Sequence, residues 1–269
     1  QHYTNRDTNA FVQGGSLHLA AYKETFTDQG ETKEYTSARL NSKFAFTYGR
    51  VEIRAQLPTG VGTWPALWML GQNITEPGAY WQTQGFGTQP WPQCGEIDIM
   101  EHWGHNQNYV SSAIHTPSSF GGTQNVGGQY VSGASTGYHT YSMVWSPTSI
   151  TFAVDSVTHY TYAPSVRNSS TWPFDLPQFI LMNIAIQPSI DPNFTASEML
   201  VDYVRIYQSS LSVAEPLHPS VRVFPNPSGG IFSVVYPAGI TSAHLLSTQG
   251  QVLRALTVDE PQLDLTEFA

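Results

Sequence analysis

The sequence contains little charge and a single cysteine. Charged residues make up 12% of the 269 residues, and Cys94 has no second cysteine with which to form an intrachain disulfide. A lone cysteine is usually a small buried apolar side chain, which we expect here. No apolar run approaches the ~18 residues of a membrane-spanning helix, and no basic start followed by an apolar stretch marks a signal peptide. We therefore expect no membrane span.

Basic residues are scarcer than acidic ones. The 11 Lys and Arg residues against 20 Asp and Glu residues give a formal net charge of −9, and no cluster of basic residues offers the footprint that a phosphate backbone needs. Nucleic acid is therefore excluded as a partner. The same sign disfavours sulfated ligands, so a neutral ligand fits better. We expect a monomer.

Amphipathic helices are also missing, because no long stretch places apolar residues at i, i+3, i+4 and i+7. Instead, short segments rich in β-branched and aromatic residues lie between turn-forming residues, which is typical of strands. The predicted strands are Ser16–Tyr22, Gly49–Gln56, Ala66–Leu70, Glu96–Glu101, Val110–His115, Thr140–Trp145, Ser149–Asp155, Gln178–Ile186 and Leu200–Tyr207. We predict an all-β fold, a sandwich of two antiparallel sheets.

The composition changes after Tyr207. Residues 209–219 lack strand patterning and are predicted to form a linker. Residues 220–269 then contain four short strand-like segments and turns rich in Pro, Asn and Gly, which predicts a small C-terminal β-module. This module has few candidate catalytic groups, so targeting or binding is its expected role.

Three carboxylates fall within six residues of an apolar strand, at Glu96, Asp98 and Glu101. Ionised groups are costly in such a strand unless they face water or a ligand. Strand alternation places Glu96 and Asp98 on one face but sends Glu101 to the other. A β-bulge at Ile99–Met100 would return Glu101 to the first face. We therefore predict a bulge and a cleft lined by all three carboxyl groups.

Two carboxyl groups across one glycosidic bond are what glycoside hydrolysis requires, since one attacks the anomeric carbon while the other protonates the departing oxygen and later activates water. The third carboxylate, Asp98, would hold the pair in different protonation states. The spacing alone does not say which Glu attacks. A calcium loop is disfavoured because such loops alternate acids with Gly and Asn; a solvated acidic edge is the other alternative.

The motif resembles that of glycoside hydrolase family 16. The laminarinase-like branch of that family has Glu-x-Asp-x-x-Glu and the lichenase branch has Glu-x-Asp-x-Glu, so Glu96–Glu101 matches the longer form. The similarity extends from Gln1 to Tyr207. Other matching segments are Tyr35–Arg39, Tyr48–Arg54, Gly62–Leu70, Ile114–His115 and Val201–Tyr207.

The resemblance implies a concave β-jelly-roll sandwich and a retaining double-displacement mechanism. Glu96 is then the nucleophile, Asp98 its assisting carboxylate and Glu101 the acid/base. The resemblance also implies a set of cleft residues that bind substrate. They are Glu52, Arg54, Trp64, Trp68, Trp103 and His115.

Some of these positions have a second interpretation. Trp68 lies in an apolar run and His115 is a lone histidine, so either is also compatible with an ordinary core position. The polar row that includes Glu52 and Arg54 faces solvent if its strand lies on an outer face, and ligand if it lies in the cleft. A zinc site at His102, His105 and His115 is not expected, because a fourth ligand at suitable spacing is missing.

The sequence departs from the family at its start. Family members have an additional first strand, so we expect residues 1–208 to be a catalytic domain truncated at its N-terminus. The resemblance implies a structural calcium ion with Asp202 as its late ligand, whose early partner would lie in the missing strand. The reaction itself requires no cofactor.

The C-terminal module resembles a type IX secretion sorting domain through Val223–Gly230 and Leu246–Leu253. It stops short of that family's last strand, so we expect residues 220–269 to be incomplete. The resemblance implies export by the secretion machinery of a Gram-negative bacterium, to the medium or the cell surface.

The resulting hypothesis is an endo-hydrolase of internal β-1,3 bonds in laminarin-type glucan, with mixed-linkage 1,3-1,4-glucan as a further substrate. An agarase- or carrageenase-type galactanase of the same fold is the first alternative. A glucan-binding module without turnover is the second, although binding alone would not need the three carboxylates.

Overall fold

The computed structural model describes residues 1–208 and, further along the chain, residues 222–224, 231–235, 240, 242–246, 252–257, 262–264 and 266. The chain divides into two compact units, Gln1–Gln208 and Ser209–Ala269. The predicted linker, residues 209–219, lies outside the described residues. In the described part the one α-helix is the single turn α1 (Tyr80–Thr83), so no helix there is long and apolar enough to cross a membrane.

The first unit is a sandwich of two sheets, and both are antiparallel except for one short parallel pair at an edge. The nine-stranded sheet contains β1 (His2–Tyr3), β2 (Ala10–Gln13), β3 (Ser16–Asp28), β4 (Glu31–Ser37), β6 (Gly49–Gln56), β11 (His139–Trp145), β12 (Ile150–Val154), β13 (Val157–Tyr162) and β15 (Ala196–Tyr207). The six-stranded sheet contains β5 (Arg39–Phe46), β7 (Thr63–Gly71), β8 (Glu96–His102), β9 (Tyr109–His115), β10 (Val126–Tyr130) and β14 (Gln178–Ile186). The predicted all-β sandwich is confirmed.

One apolar core lies between the two sheets. Ile53 and Met143 of the nine-stranded sheet and Met69 and Ile97 of the six-stranded sheet are all fully buried in the same cluster. Alternation along each strand therefore sends the intervening side chains outward, to one of two opposite outer faces. Cys94 is buried in a smaller apolar cluster, as predicted.

All nine predicted strands of this unit are present. Gly49–Gln56 and Gln178–Ile186 have the predicted bounds, and Ser16–Tyr22 continues to Asp28. The sequence does not predict β1, β2, β4, β5, β10 and β13. Four of these, β1, β5, β10 and β13, are the edges of the two sheets, where exposed positions need no apolar residues and the alternation is weak.

The second unit contains short strands only, as far as it is described. Strands β16 (Arg222–Phe224), β17 (Ile231–Val235) and β20 (Gln262–Asp264) form one small sheet, and β18 (Ala243–Leu246) pairs with β19 (Val252–Leu256). The turn within Val223–Gly230 that follows β16 lies outside the described residues.

Candidate active site

The acidic motif forms β8, in the middle of the six-stranded sheet between β7 and β9. Gly95 precedes the strand with φ +76°, and an added Cβ would lie 2.8 Å from the ring of Phe174, so glycine is required at this turn. Ile97 is fully buried in the core. The side chain of Glu96, which alternates with it, therefore faces the outer side of the six-stranded sheet.

Strand β8 has one extra residue between its second and third carboxylates. Asp98 pairs with Ala113 and Glu101 with Ser111, which is a step of three residues on β8 against two on β9. The predicted bulge at Ile99–Met100 is thus confirmed. It turns the side chain of Glu101 to the same face as that of Asp98.

The carboxyl group of Glu96 lies between an aromatic donor and a histidine. The indole Nε1–H of Trp91 donates a hydrogen bond of 2.9 Å to Oε2, and Nε2 of His115 lies 3.6 Å from Oε1. Burial, followed by the nearby charge of Asp98, raises the pKa of Glu96 to about 8, although His115 and Trp91 oppose this shift.

Asp98 is the most deeply buried of the three carboxyl groups. Its side chain is 5% exposed, and its Oδ2 atom lies 3.1 Å from Nε2 of His115. Burial, together with the nearby charge of Glu101, raises the pKa of Asp98 well above its usual range. A proton is therefore retained in this cluster at pH values where an exposed carboxyl group would have lost it.

The carboxyl group of Glu101 has its own aromatic donor. The Nε1–H of Trp64 donates a hydrogen bond of 3.0 Å to Oε1 of Glu101. Burial raises the pKa of Glu101, while the hydrogen bond from Trp64 and the nearby His115 act in the opposite direction. Each glutamate is thus held by an indole from a different loop or strand.

Two cavities share these carboxyl groups. One, of about 230 Å³, extends toward β7 and β14 and is lined by Tyr3, Trp68 and Asn183. The other, of about 540 Å³, extends toward β9 and β10 and is lined by Trp91, Trp103, His115 and other side chains. Glu96 and Glu101 line both cavities, so the cleft continues on either side of the carboxyl pair.

Aromatic rings form the walls of this cleft. Trp64 stacks on Trp103 with centroids 6.0 Å apart and an interplanar angle of 20°. Trp68 lines the smaller cavity and donates a hydrogen bond of 2.7 Å to Oδ1 of Asn183. The structure thus places Trp64, Trp68, Trp103 and His115 at the cleft, and their contact with substrate stays a prediction.

The structure does not bring Glu52 and Arg54 to this cleft. Both lie on β6 of the nine-stranded sheet, where Ile53 between them is fully buried in the core. Their side chains therefore face the outer side of that sheet, opposite to the face that carries Glu96. Glu52 forms an ion pair of 2.5 Å with Arg50. The assignment of Glu52 and Arg54 as cleft residues is therefore wrong. Alternation along a strand separates core from surface, but it does not say on which of the two outer faces of the sandwich the strand lies.

Asp202, on the neighbouring strand β15, forms an ion pair with Arg54 of β6. Oδ2 of Asp202 lies 2.5 Å from Nη1 of Arg54, so the carboxylate already has a cationic partner. In the part of the chain that the structure describes, Asp202 is not among three side chains that converge on one metal position. Nothing in this arrangement supports the predicted calcium ligand.

One group of potential metal ligands occurs in the described residues. Glu96, Asp98 and His115 offer ligand atoms that lie within 4.8 Å of one another. The fully buried His102 lies apart, with Nε2 2.9 Å from the carbonyl oxygen of Gln107, so the histidines of the motif region do not converge. Hydrolysis by two carboxyl groups needs no metal ion at this position.

Several residues at the cleft were not predicted. Trp91 lies five residues before Glu96, and its position near the acidic motif was a usable signal. Tyr3 and Asn183 come from distant parts of the chain, and Nδ2 of Asn183 donates a hydrogen bond of 3.1 Å to the hydroxyl of Tyr3. Gln187, just after β14, lines the larger cavity.

The raised pKa of Glu96 makes a prediction about stability. Between the usual pKa of 4.5 and about 8, the folded protein keeps a proton that the unfolded chain has lost. The contribution of Glu96 to the free energy of unfolding is then fully present below about pH 4.5. It is lost as the pH rises to about 8, by an amount on the order of a few kcal/mol. We expect Glu96→Gln to raise the Tm at pH 8 but not at pH 4.5.

Thermal unfolding of the wild type and the variant at both pH values measures this effect. Glu34→Gln, at an exposed position on β4 where the carboxyl group accepts a hydrogen bond from Thr25, is the matched control and should behave alike at both pH values. An equal Tm difference for Glu96→Gln at pH 4.5 and pH 8 contradicts the raised pKa.

Comparisons with known proteins agree with this geometry. The family model for glycosyl hydrolases family 16 matches residues 1–205. A beta-glucanase of Rhodothermus marinus is 41% identical over 225 residues, with 77% of this chain and 73% of the relative covered. A keratan-sulfate endo-1,4-beta-galactosidase of Sphingobacterium multivorum is 37% identical over 213 residues, with 75% of this chain and 47% of the relative covered.

Solved structures give the same result. LamA of Zobellia galactanivorans, crystallised with laminaritriose and laminaritetraose, is 42% identical and superposes with a TM-score of 0.70. The match covers 77% of this chain and 84% of that one. Because the family model matches residues 1–205, which include the acidic motif, the chain belongs to glycosyl hydrolase family 16.

Proposed function

We propose that this chain hydrolyses internal β-1,3-glucosidic bonds of laminarin-type glucan with retention of configuration, through Glu96 as nucleophile and Glu101 as acid/base. The observation that carries this proposal is the bulge in β8, which places both carboxyl groups in one cleft. Retention requires direct attack, so the two carboxyl groups should act across a separation of about 5–5.5 Å.

The mechanism has two displacements. In the first, Glu96 attacks the anomeric carbon while the bond to the leaving oxygen breaks, and Glu101 gives that oxygen its proton. In the second, water attacks the glycosyl-enzyme ester, Glu101 accepts the proton of the water, and Glu96 leaves as a carboxylate. Asp98 assists by keeping a proton within the cluster while Glu96 is ionised.

The surroundings of Glu96 support its role as nucleophile. Burial and the charge of Asp98 raise the pKa of Glu96, but the ring of His115 and the indole N–H of Trp91 act in the opposite direction and favour the charged form that attacks. Asp98 lies beside the same histidine and holds the cluster's shared proton more readily because it is buried more deeply. His115 thus lies close to both carboxyl groups.

An endo mode of cleavage fits the shape of the cleft. Cavities extend on both sides of the carboxyl pair, so a chain can continue past the scissile bond in either direction. Indole rings line both cavities, and their flat apolar faces suit the C–H faces of sugar rings. Similarity to a LamA structure that holds laminaritriose and laminaritetraose supports a β-1,3-linked substrate, and mixed-linkage glucan is a further candidate.

Cleavage of a galactan is the second candidate function. The relative named as a keratan-sulfate endo-1,4-beta-galactosidase favours it. A sulfated polymer, however, needs Arg or Lys groups free to pair with each sulfate. Arg39, which lies 5.2 Å over the ring of Trp68, is already paired with Glu76 at 3.3 Å. A binding module without turnover is disfavoured by the intact set of carboxylates.

We expect laminarin to be cleaved with at least tenfold higher kcat/KM than carrageenan or porphyran, which is a difference of about 1.4 kcal/mol in transition-state binding. Initial rates on laminarin, mixed-linkage glucan, agarose, carrageenan and porphyran measure the ratio, and product analysis shows where each chain is cut. A ladder of internal cleavage products from laminarin is the expected pattern. Comparable or faster turnover of a sulfated polymer would overturn the substrate assignment but leave the carboxylate mechanism standing.

The C-terminal unit supports a second proposal, about location. We infer that residues 220–269 act as a type IX sorting domain and that the protein is secreted or held at the surface of a Gram-negative cell. The motif within Val223–Gly230 and the division of the chain after Gln208 support this role. A monomer remains our expectation for the exported protein.

Deleting residues 220–269 should leave the kcat/KM for laminarin close to that of the full chain, because the catalytic groups all belong to the first unit. Export in a Gram-negative host with a type IX system should be lost. Activity assays on the purified protein and fractionation of the culture measure the two effects. If the shortened protein folds but no longer hydrolyses glucan, the C-terminal unit contributes to catalysis and the sorting role is wrong.

A further inference from the structure

The bulge in β8 leaves a buried backbone group without its usual partner. Ile99 has no partner residue on β7 or on β9, although the strand pairs with both of them on either side of this position. Ile99 is only 2% exposed, so water does not reach it freely. A buried carbonyl group without a hydrogen bond costs about as much as a lost hydrogen bond, so its partner has to come from a side chain.

That partner is Ser112. This residue lies between Ala113 and Ser111 on β9, directly opposite the two bulged residues. Its hydroxyl donates a hydrogen bond of 2.7 Å to the carbonyl oxygen of Ile99, and the residue is fully buried. The hydroxyl therefore replaces the ladder hydrogen bond that the bulge removes.

The oxygen of Ser112 has a second contact, which comes from the opposite sheet. Nε2 of His159 on β13 lies 2.8 Å from it. The strand β13 has its own bulge at this point, because Phe152 pairs with Tyr160 and the next residue, Ala153, pairs with Thr158. His159 is the extra residue, and its ring reaches across the sandwich to β9.

The direction of these two hydrogen bonds follows from counting protons. A carbonyl oxygen only accepts, so the single hydroxyl proton of Ser112 is committed to Ile99. His159 then has to donate, so its Nε2 atom carries a proton. The Nδ1 atom of His159 is buried and has no hydrogen-bond partner, as an unprotonated nitrogen in an apolar setting allows. Burial also lowers the pKa of His159, which keeps the ring neutral.

We propose that Ser112 and His159 are positioning residues that hold the bulge of β8 and thereby aim Glu101 at the leaving oxygen. Two residues after Ile99, the strand delivers the carboxyl group of Glu101 to the cleft. A shift of the bulge toward regular pairing would turn that side chain away from the face that carries Glu96. This inference rests on the proposed role of Glu101 as the acid.

The first test is independent of activity. Nitrogen NMR of the wild-type protein with labelled histidine reports the tautomer of His159. We expect Nε2 protonated and Nδ1 bare at neutral pH. A proton on Nδ1 alone overturns the hydrogen-bond chain, because the bare Nε2 would then accept the proton of Ser112 and leave none for Ile99.

The second test uses Ser112→Ala and Ser112→Cys on two substrates. Displacement of the Glu101 carboxyl group in Ser112→Ala should lower kcat/KM for laminarin by about 10–100-fold. The loss should be much smaller for a 2,4-dinitrophenyl β-laminaribioside, whose leaving group needs no proton. The thiol of Ser112→Cys is a weaker donor of similar size, so it should give an intermediate result.

Ser37→Ala is the matched control. Ser37 is also fully buried and donates a hydrogen bond of 2.7 Å to a backbone carbonyl, that of Ile184 on the other sheet. It should lower stability in a similar way but change both substrates equally. Equal losses on both substrates in Ser112→Ala would mean that Ser112 only stabilises the fold, and the inference would be wrong.

A crystal structure of Ser112→Ala separates this inference from the proposed function. We expect the pairing of β8 with β9 to shift between Asp98 and Glu101. If wild-type protein fails to hydrolyse laminarin, the proposed function is wrong, while the tautomer and this structure still decide the inference. If Ser112→Ala does not fold, the tautomer of His159 in the wild type decides it alone.

Discussion

Replacing Glu96 with alanine is expected to lower kcat for laminarin by about 10⁴-fold or more, the scale of loss seen when a catalytic nucleophile is removed. The reason is that no other group can form the glycosyl ester. Asp98, the nearest carboxyl group on the same strand, is 5% exposed and faces His115. Steady-state hydrolysis of laminarin by the purified variant measures the loss.

A small anion can test the assignment of the nucleophile directly. With an activated aryl β-glucoside and azide, Glu96→Ala leaves room for azide on the face that the carboxylate occupied, so the expected product is the α-glycosyl azide. Glu198→Ala, an exposed carboxylate on the other sheet, is the control and should keep the activity of the wild type. Recovery of the β-glycosyl azide from Glu96→Ala would assign the attack to another residue.

The bulge is the part of the site that spacing alone predicted well. Glu101 comes three positions after Asp98, and a regular strand cannot put both on one face, so an irregularity had to follow if both served one cleft. The register against β9 confirms it. The hydroxyl that stabilises the bulge was not predicted, because Ser112 becomes its partner only through strand pairing.

The choice between the two outer faces could not be predicted from periodicity. In β6 the alternation of Ile53 with Glu52 and Arg54 correctly separates core from surface. A sandwich, however, has two surfaces, and only the order of strands in the sheets decides which one carries the cleft. The same pattern in β8 leads to the catalytic face, so identical alternation has two different outcomes.

Contacts from distant segments also lie beyond local sequence reasoning. Tyr3 and Asn183 are 180 residues apart and meet in the smaller cavity. The sequence left Trp68 as either a core residue or a cleft residue. The hydrogen bond to Asn183 that places it at the cleft joins residues 115 positions apart. Trp91 differs, since its closeness to Glu96 in the sequence made its role as a donor open to prediction.

The electrostatics of the cluster link the fold to the chemistry. Burial raises the pKa of each of the three carboxyl groups, so the cluster holds fewer than three charges near neutral pH. Retaining hydrolysis needs one ionised and one protonated carboxyl group at the same time. Placing the three on one face of a buried strand supplies that mixture, at a cost in stability that grows as the pH rises.

Glu101→Ala is expected to lower kcat/KM for laminarin by about 10²–10⁴-fold, the usual contribution of general acid catalysis. The reason is that a sugar alkoxide leaves poorly without a proton, whereas 2,4-dinitrophenolate needs none. We therefore expect the first step on a dinitrophenyl β-laminaribioside to be nearly unchanged, so that the glycosyl enzyme accumulates and appears as a burst of phenolate.

Azide should speed the breakdown of the glycosyl enzyme in Glu101→Ala and give the β-glycosyl azide, since the anion enters on the face that the Glu101 carboxyl group has vacated. The variant should also lose the alkaline limb of the bell-shaped pH profile of kcat/KM, because that limb reports loss of the acid's proton. Equal losses on laminarin and on the dinitrophenyl substrate, or an alkaline limb that remains in the variant, would show that the proton comes from a group other than Glu101.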